Sequence, residues 1–166
     1  MMKLERSGFF RRRVVEPVLQ LLRMGATPQR LAWSIAMGVV IGINPLLGST
    51  TVLALAFASV FRLNVVASQL GNHLVYPLEL LLLPVFLRVG IAVFHSPGLP
   101  LEREALFHAV KRHPWDTTRL LWRWEWHALI VWLVFAVVVA PLLQMVLRPV
   151  LEHMLAKLHA EPTMEK

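Results

Sequence analysis

Two uncharged stretches, each interrupted by a proline, dominate the hydrophobic pattern of this chain. They span Leu31–Phe61 and Leu63–Leu78, and the second continues beyond Glu79 as an apolar run. A bilayer crossing takes about 20 apolar helical residues. The 31 residues of the first stretch would form a helix ~46 Å long at about 1.5 Å per residue. We therefore expect an all-α integral membrane protein in which each stretch is a helical hairpin or a kinked span.

Both stretches share one layout, in which a helix, a polar residue and a proline are followed by another helix. Asn44-Pro45 interrupts the first stretch and Tyr76-Pro77 the second, because proline lacks the N–H that continues a helix. Thr27-Pro28 predicts the start of the first helix. We expect Ser49–Thr51 to cap the half-helix after the first break. Paired interrupted segments indicate a binding site in a membrane protein.

Small residues repeat at helical spacing in both stretches. Ser34, Gly38 and Gly42 lie four residues apart in the first stretch, and Ala67 and Gly71 do so in the second. Such repeats let helix backbones approach closely in lipid. We interpret them as a packing surface, either between the two stretches or between two copies of the chain.

Shorter elements flank these stretches. Residues 14–24 place apolar side chains on one side of a helix among basic residues, which predicts an interfacial helix. The 21 uncharged residues of 127–147 are long enough for an ordinary span, which we expect Arg148-Pro149 to end. The predicted organisation is a basic cytoplasmic or interfacial N-terminal segment 1–26, a membrane domain 27–147 and a tail 148–166. Within the membrane domain we expect the broken segments 28–61 and 63–95, a cytoplasmic loop 96–126 and the span 127–147.

Composition and charge give this membrane interpretation its orientation. The chain is 57% hydrophobic and 16% charged, whereas soluble domains are about 45–50% apolar and about 25% charged. Seven basic residues precede residue 31 and five more lie in 96–126, which places both regions in the cytoplasm. We predict a multi-pass protein of a bacterial inner membrane, without a cleaved signal peptide, that contacts membrane lipids and not nucleic acid.

Two topologies satisfy this charge distribution. If both broken stretches are full spans, Arg62 faces the opposite side of the membrane. If both are re-entrant hairpins, Arg62 stays on the cytoplasmic side. In either case 127–147 crosses the membrane and the C-terminus lies outside.

Polar residues around the two breaks are the candidates for binding a substrate or ion. A helix N-terminus beside the first break would attract an anion. Glu79 is either a proton or cation coupling group, with His73 and Asn72 near it, or a structural partner of Arg62 or Arg88. Amides beside the breaks either satisfy freed backbone groups or bind a substrate. The candidates are Asn44, Ser49, Thr50, Thr51, Arg62, Asn64, Asn72 and Glu79.

Catalytic patterns are lacking. The histidines show no metal-binding HxxxH or HExxH spacing, and the glycines form no phosphate-binding loop. Ser49 lacks the flanking pattern of a nucleophile elbow, and a chain without cysteine has no thiolate nucleophile or disulfide. We therefore predict neither an enzyme nor a metal or cofactor site.

A combination of short motifs resembles a bacterial membrane protein family of unknown function. The family pattern joins TP, GxxxGxxP, RxN, and GN followed by a proline motif. Its positions here are Thr27, Pro28, Ala32, Gly38, Gly42, Pro45, Gly48, Arg62, Asn64, Gly71, Asn72 and Pro77. The chain differs at Tyr76-Pro77, where the family has Asn-Pro. Some relatives carry glycosyltransferase-like domains that use lipid-linked sugars, which implies a role near polyprenyl-phosphate carriers.

Two functions follow as hypotheses. The first is a small transport or translocation component for an anionic or lipid-linked substrate, working as a homo-oligomer, with Arg62 and Glu79 gating or coupling. The second is a scaffold subunit that assembles an envelope-biosynthesis complex. Tight packing at the breaks would favour the scaffold, and a hydrated site there would favour transport.

Overall fold

The computed structural model describes residues 15–96 and 114–160. Residues 1–14 of the basic segment, 97–113 of the predicted loop and 161–166 of the tail lie outside the described residues. The described chain consists of α-helices joined by short turns, which confirms the predicted all-α class. The helices are α1 (Glu16–Arg23), α2 (Pro28–Gly42), α3 (Thr50–Val60), α4 (Val65–Leu74), α5 (Tyr76–Val93) and α6 (Pro114–Ala160).

Helix α1 packs its apolar face against the rest of the protein. Val18, Leu21 and Leu22 are buried in a cluster that includes Leu31 of α2 and Leu151 of α6. The apolar face that we expected to enter the membrane interface is therefore covered by protein. The position of α1 at the membrane interface stays a prediction.

Helices α2 and α3 form a hairpin around the first break. Seven turn residues, 43–49, separate them, and their outer ends lie together. The backbone N–H of Asn64, just after α3, donates to Ser34 Oγ of α2 at 2.8 Å. Arg62 also lines the same pocket as Thr27. Arg62 thus lies at the end of the molecule where α2 begins.

The second broken stretch does not fold back. Only Val75 separates α4 from α5, and α5 then packs chiefly along α6 rather than returning onto α4. The Ser96 Oγ atom lies 2.9 Å from Nδ1 of His127 in α6. Helices α4 and α5 therefore follow one another without a reversal, because the single residue between them leaves no room for one.

Helices α2 and α4 run parallel in close backbone contact. Positions of α2 meet positions of α4 that lie thirty residues later in the chain. A Cβ atom on Gly38 would overlap the carbonyl group of Ser68, and a Cβ atom on Gly42 would lie 2.8 Å from the carbonyl oxygen of Asn72. From the other side, a Cβ atom on Gly71 would lie 2.5 Å from the carbonyl oxygen of Ile35. Both small-residue repeats therefore serve packing within one chain.

Helix α6 is longer than the sequence indicated. It begins at Pro114 and continues beyond Pro149 to Ala160, so the predicted loop is helical from residue 114 and the predicted span is the middle of a 47-residue helix. Two contacts support the helix around Pro149. Arg148 Nε donates to Glu152 Oε1 at 2.7 Å, and Leu151 is buried in the cluster with α1.

Two of the described helices are long and apolar enough to cross a membrane. They are α5, with a mean hydropathy of 1.8, and the Thr118–Lys157 part of α6, whose most apolar 18-residue window has a mean hydropathy of 2.6. In each, only 17% of the most apolar 18-residue window is buried. The core helix of a soluble protein would be mostly buried, so these exposed apolar surfaces indicate membrane association.

Candidate functional site

Polar groups from the start of α3 and from α4 meet where the two breaks come together. The Nδ2 atom of Asn72 lies 3.5 Å from Thr51 Oγ1, and Gln69 Nε2 donates to the Thr51 carbonyl at 3.1 Å. Asn72 Oδ1 lies 2.8 Å from the position that a Cβ atom on Gly42 would occupy. Because Gly42 has no side chain, the amide of Asn72 fits against the end of α2.

We call the polar residues on either side of the two breaks the break cluster, defined as Asn44, Thr50, Thr51, Asn72 and Glu79. Four of them are buried, with exposed fractions of 0% for both asparagines, 1% for Thr50 and 3% for Glu79. Thr51 is exposed. The cluster therefore combines amide, hydroxyl and carboxyl groups in an otherwise apolar bundle.

Several buried polar atoms in and beside this cluster have no hydrogen-bond partner among the described residues. An unsatisfied buried polar group costs about 1–3 kcal/mol, so such groups indicate a missing water, ion or ligand. The concentration of these atoms around the two breaks marks the region as a candidate binding site. They are Asn44 Nδ2, Thr50 Oγ1, Ser68 Oγ, Asn72 Oδ1 and Glu79 Oε1.

Asn44 divides its amide between two roles. Its Oδ1 atom accepts from the backbone N–H of Leu46 at 2.6 Å, which closes a local turn of the Asx type. Its Nδ2 atom has no hydrogen-bond partner in the described part of the chain. The structural and binding alternatives for this residue are thus compatible, because the oxygen shapes the turn and the nitrogen stays free to donate.

Ser49 does not cap α3 as the sequence predicted. Its backbone has helical angles, φ −91 and ψ −17, whereas a capping serine needs an extended conformation. Its Oγ atom instead donates to the carbonyl of Leu46 at 2.7 Å. Ser49 therefore stabilises the turn, and its hydroxyl is occupied.

Arg62 and Asn64 lie at the other end of α4, away from the break cluster. The ten residues of α4 put ~15 Å between the two ends at about 1.5 Å per residue. Asn64 caps α4, its Oδ1 accepting from the Ala67 N–H at 2.9 Å. The expected pairing of Glu79 with Arg62 is therefore wrong.

Glu79 forms no ion pair within the described part of the chain. It lies on the buried face of α5, seven residues after Asn72 and seven before Phe86, whose ring meets Phe135 of α6 at 5.6 Å. Arg88, nine residues further on, falls on the opposite face of the helix and is exposed. The proposed pairing with Arg88 is thus also wrong.

His73 is separate from the cluster as well. Its side chain is exposed, and its Nδ1 atom lies 2.8 Å from the carbonyl oxygen of Gln69. Ser68 and Gln69, which were not predicted as site residues, do lie beside the cluster. Their spacing was the available signal, because Ser68 lies four residues before Asn72 and shares its helix face.

Metal-binding groups are not assembled here. No group of three or more histidine, cysteine or acidic residues in the described ranges is placed to hold a metal ion. The chemistry available in the break cluster is hydrogen bonding by neutral groups together with one carboxyl group.

Sequence comparison identifies the family. The model of a family described as an uncharacterized protein conserved in bacteria (DUF2062) matches residues 11–159, and the chain belongs to this family. No curated protein and no solved structure matches the chain. The resemblance drawn from the short motifs is therefore confirmed at the level of the family.

Proposed function

We propose that this member of the DUF2062 family is a multi-pass inner-membrane protein that acts as a small transport component, with the break cluster as its binding site. The observation that carries the proposal is the set of unpartnered buried polar atoms around the two breaks. A polar group at membrane depth is costly and usually marks a pathway or binding site.

The length of the hairpin supports a site inside the membrane. Helix α2 has 15 residues and α3 has 11, whereas a full crossing takes about 20. A hairpin entering from the end where α2 begins therefore turns within the apolar layer. Irregular backbone at that depth is tolerated where it is buried in protein or lines a water-filled cavity.

The groups in the cluster suit an anionic substrate that moves with a proton. Among the residues that the structure describes, Asn44 Nδ2 and Thr50 Oγ1 are neutral donors without partners, and Glu79 is an acid that pairs with no cation. Protonation of Glu79 would remove its charge and let the cluster accept an anion. Release of the proton to water would restore the negative charge of Glu79, and the cluster would then repel the anion.

Cysteine accessibility tests this proposal without knowledge of the substrate. The chain has no native cysteine, so a single Thr50→Cys variant can be treated with a small membrane-impermeant thiol reagent in intact cells and inverted vesicles. Val52→Cys is the matched control, because Val52 lies two residues later on α3 and is 67% exposed on the apolar surface. We expect Thr50→Cys to react and Val52→Cys to stay unlabelled in lipid.

If Thr50→Cys in a folded protein were labelled neither in intact cells nor in inverted vesicles, the transport proposal would be rejected. The break cluster would then be dry packing, and the second candidate, a scaffold subunit of an envelope-biosynthesis complex, would take its place. The close contact of α2 with α4 favours that candidate. Homo-oligomers in either function need another surface, since both small-residue repeats are used within the chain.

Proton movement gives a second readout. Vesicles containing the protein and a pH-sensitive dye should lose an imposed pH gradient faster than protein-free vesicles, and Glu79→Gln should abolish the difference. Glu16→Gln is the control, because Glu16 is an exposed carboxylate in the first turn of α1. Equal rates for Glu79→Gln and the unmodified protein would exclude Glu79 as the coupling group.

A further inference from the structure

An apolar groove runs along α2 between α3 and α6, outside the break cluster. It has a volume of about 300 Å³, and its walls include Trp33 and Met37 of α2, Phe57 of α3 and Trp132 of α6. The indole Nε1 of Trp132 donates to the carbonyl of Val40 at 3.0 Å. This bond fixes one wall of the groove, so the groove is a formed feature of the bundle.

A second, polar pocket lies at the end of the molecule where α2 begins. Its volume is about 200 Å³, and its lining includes Thr27, Arg30, Arg62 and Asn64. Neither arginine has a carboxylate partner among the described residues. Two unneutralised guanidinium groups beside a hydroxyl and an amide form a pocket suited to an anion.

The groove and the pocket follow one another along the same helix face. Arg30 lies three residues before Trp33 and seven before Met37, which places all three on one side of α2. On α3, the ring of Phe61 stacks on that of Phe57 at 5.4 Å and leads to Arg62. Helices α2 and α3 therefore line the groove, and the start of α2 with the residues after α3 lines the basic pocket.

The backbone at Arg62 is unusual for an arginine. Arg62 has φ +51, and its N–H donates to the Ser59 carbonyl at 3.2 Å while the Leu63 N–H donates to Ala58 at 2.8 Å. These two bonds form a Schellman motif, in which glycine is the favoured residue at this position. This turn places the Arg62 side chain at the end of α3, where it lines the polar pocket.

We infer that the groove and the pocket together bind one anionic phospholipid from the surrounding membrane. Its phosphate lies between Arg30 and Arg62, and one acyl chain lies in the groove against Trp33 and Trp132. Arginine suits a phosphate because its planar donors can make two parallel hydrogen bonds. The inference does not rest on the transport proposal, because the groove and pocket include none of the break cluster.

Quenching of tryptophan fluorescence by brominated lipids tests the inference. The full chain, with Trp115, Trp122, Trp124 and Trp126 replaced by phenylalanine, keeps only the two groove tryptophans. It is reconstituted in vesicles of phosphatidylcholine and phosphatidylglycerol at equal amounts, with either lipid brominated. We expect at least twofold stronger quenching by the brominated phosphatidylglycerol.

Charge-removal variants show whether the pocket causes this preference. In the Arg30→Gln/Arg62→Gln variant, quenching by the two lipids should become equal. Arg119→Gln/Arg123→Gln removes the same charge from exposed residues at the start of α6 and should keep the preference. Equal quenching in the unmodified pocket, or equal loss of preference in both double variants, would overturn the inference.

A glycine substitution separates binding from folding. Arg62→Gly should raise the unfolding temperature, because glycine is favoured at this φ, and should also weaken the lipid preference. His95→Gly is the matched control, since His95 has φ +48 at the corresponding position after α5. It should raise the unfolding temperature and leave the lipid preference unchanged. A full preference in Arg62→Gly would show that Arg62 has no part in lipid binding.

Discussion

The two broken stretches carry similar signals but fold in different ways. Around Asn44-Pro45 the chain forms a seven-residue turn, 43–49, which includes Gly48 at φ +79, and then reverses into α3. At Tyr76-Pro77 only one residue, Val75, separates the two helices, and the chain continues into α5. Pro77 falls in the first helical turn, where its missing N–H removes no helical bond. The residues around a proline thus decide whether a helix reverses or bends.

The closest contact between the two stretches should be the most sensitive to change. Gly38→Ala would force α2 away from the Ser68 carbonyl, and we expect a loss of about 3 kcal/mol or more in the free energy of unfolding, since overpacking against backbone relaxes poorly. Gly90→Ala is a graded control, because its Cβ atom would lie 3.0 Å from the nearest backbone atom of Ala128. Denaturant titration in detergent measures both. A loss at Gly38 no larger than that at Gly90 would contradict the parallel contact described here.

The asparagines at the two breaks should contribute unequally to stability. Asn44→Ala removes a 2.6 Å bond that shapes the hairpin turn, and we expect a loss of about 1–2 kcal/mol. Asn72→Ala removes two contacts of 3.5 Å and should cost about 0.5 kcal/mol, because such long hydrogen bonds are weak. Thermal unfolding of the two variants compares them directly. An equal or larger loss for Asn72→Ala would show that the second break depends on the Asn72 amide at least as much as the hairpin turn depends on the Asn44 amide.

The reversal after the first break depends on a left-handed residue. Gly48→Ala meets no neighbouring atom within 4 Å but must adopt φ +79, and we expect a loss of about 1 kcal/mol from this backbone strain alone. Leu47→Ala is the adjacent control, because Leu47 is 56% exposed and should change stability by less than about 0.5 kcal/mol. The same unfolding titration applies. If the two substitutions lowered stability equally, the left-handed conformation at Gly48 would not be the feature on which the reversal depends.

The bend at the second break should survive the loss of its proline. Pro77→Ala should change the free energy of unfolding by less than about 0.5 kcal/mol, because Pro77 is exposed and lies in the first turn of α5. Spin labels at Val66 and Val89, both exposed, report the distance across the bend. We expect that distance to stay the same. A lengthening in Pro77→Ala would mean that the proline, rather than packing on α6, maintains the bend.

Local signals in the sequence predicted local structure well. Thr27 Oγ1 accepts from the Arg30 N–H at 3.4 Å at the start of α2, as the Thr27-Pro28 pair indicated. The small-residue spacing also identified the two helices that touch. In each case the determining interaction lies within a few residues of the signal or depends on a regular repeat.

The sequence could not predict the features that depend on distant contacts. The continuation of α6 beyond Pro149 involves Leu151, which packs against α1 more than a hundred residues earlier. The separation of Arg62 from Glu79 follows from the straight course of α4 between them. Both outcomes depend on how whole helices pack, and that information is not contained in any short segment.

The parallel register of α2 and α4 also constrains how this protein can evolve. Positions 38 and 42 of α2 meet the backbone carbonyl groups at positions 68 and 72 of α4, so a smaller side chain at 68 or 72 cannot make room for a side chain at 38 or 42. An insertion in the turn 43–49 would leave these pairs intact, whereas one inserted residue inside α2 would rotate its later positions by about 100°. Among relatives, we expect changes in length to concentrate in the turn and positions 38 and 42 to keep the smallest residues.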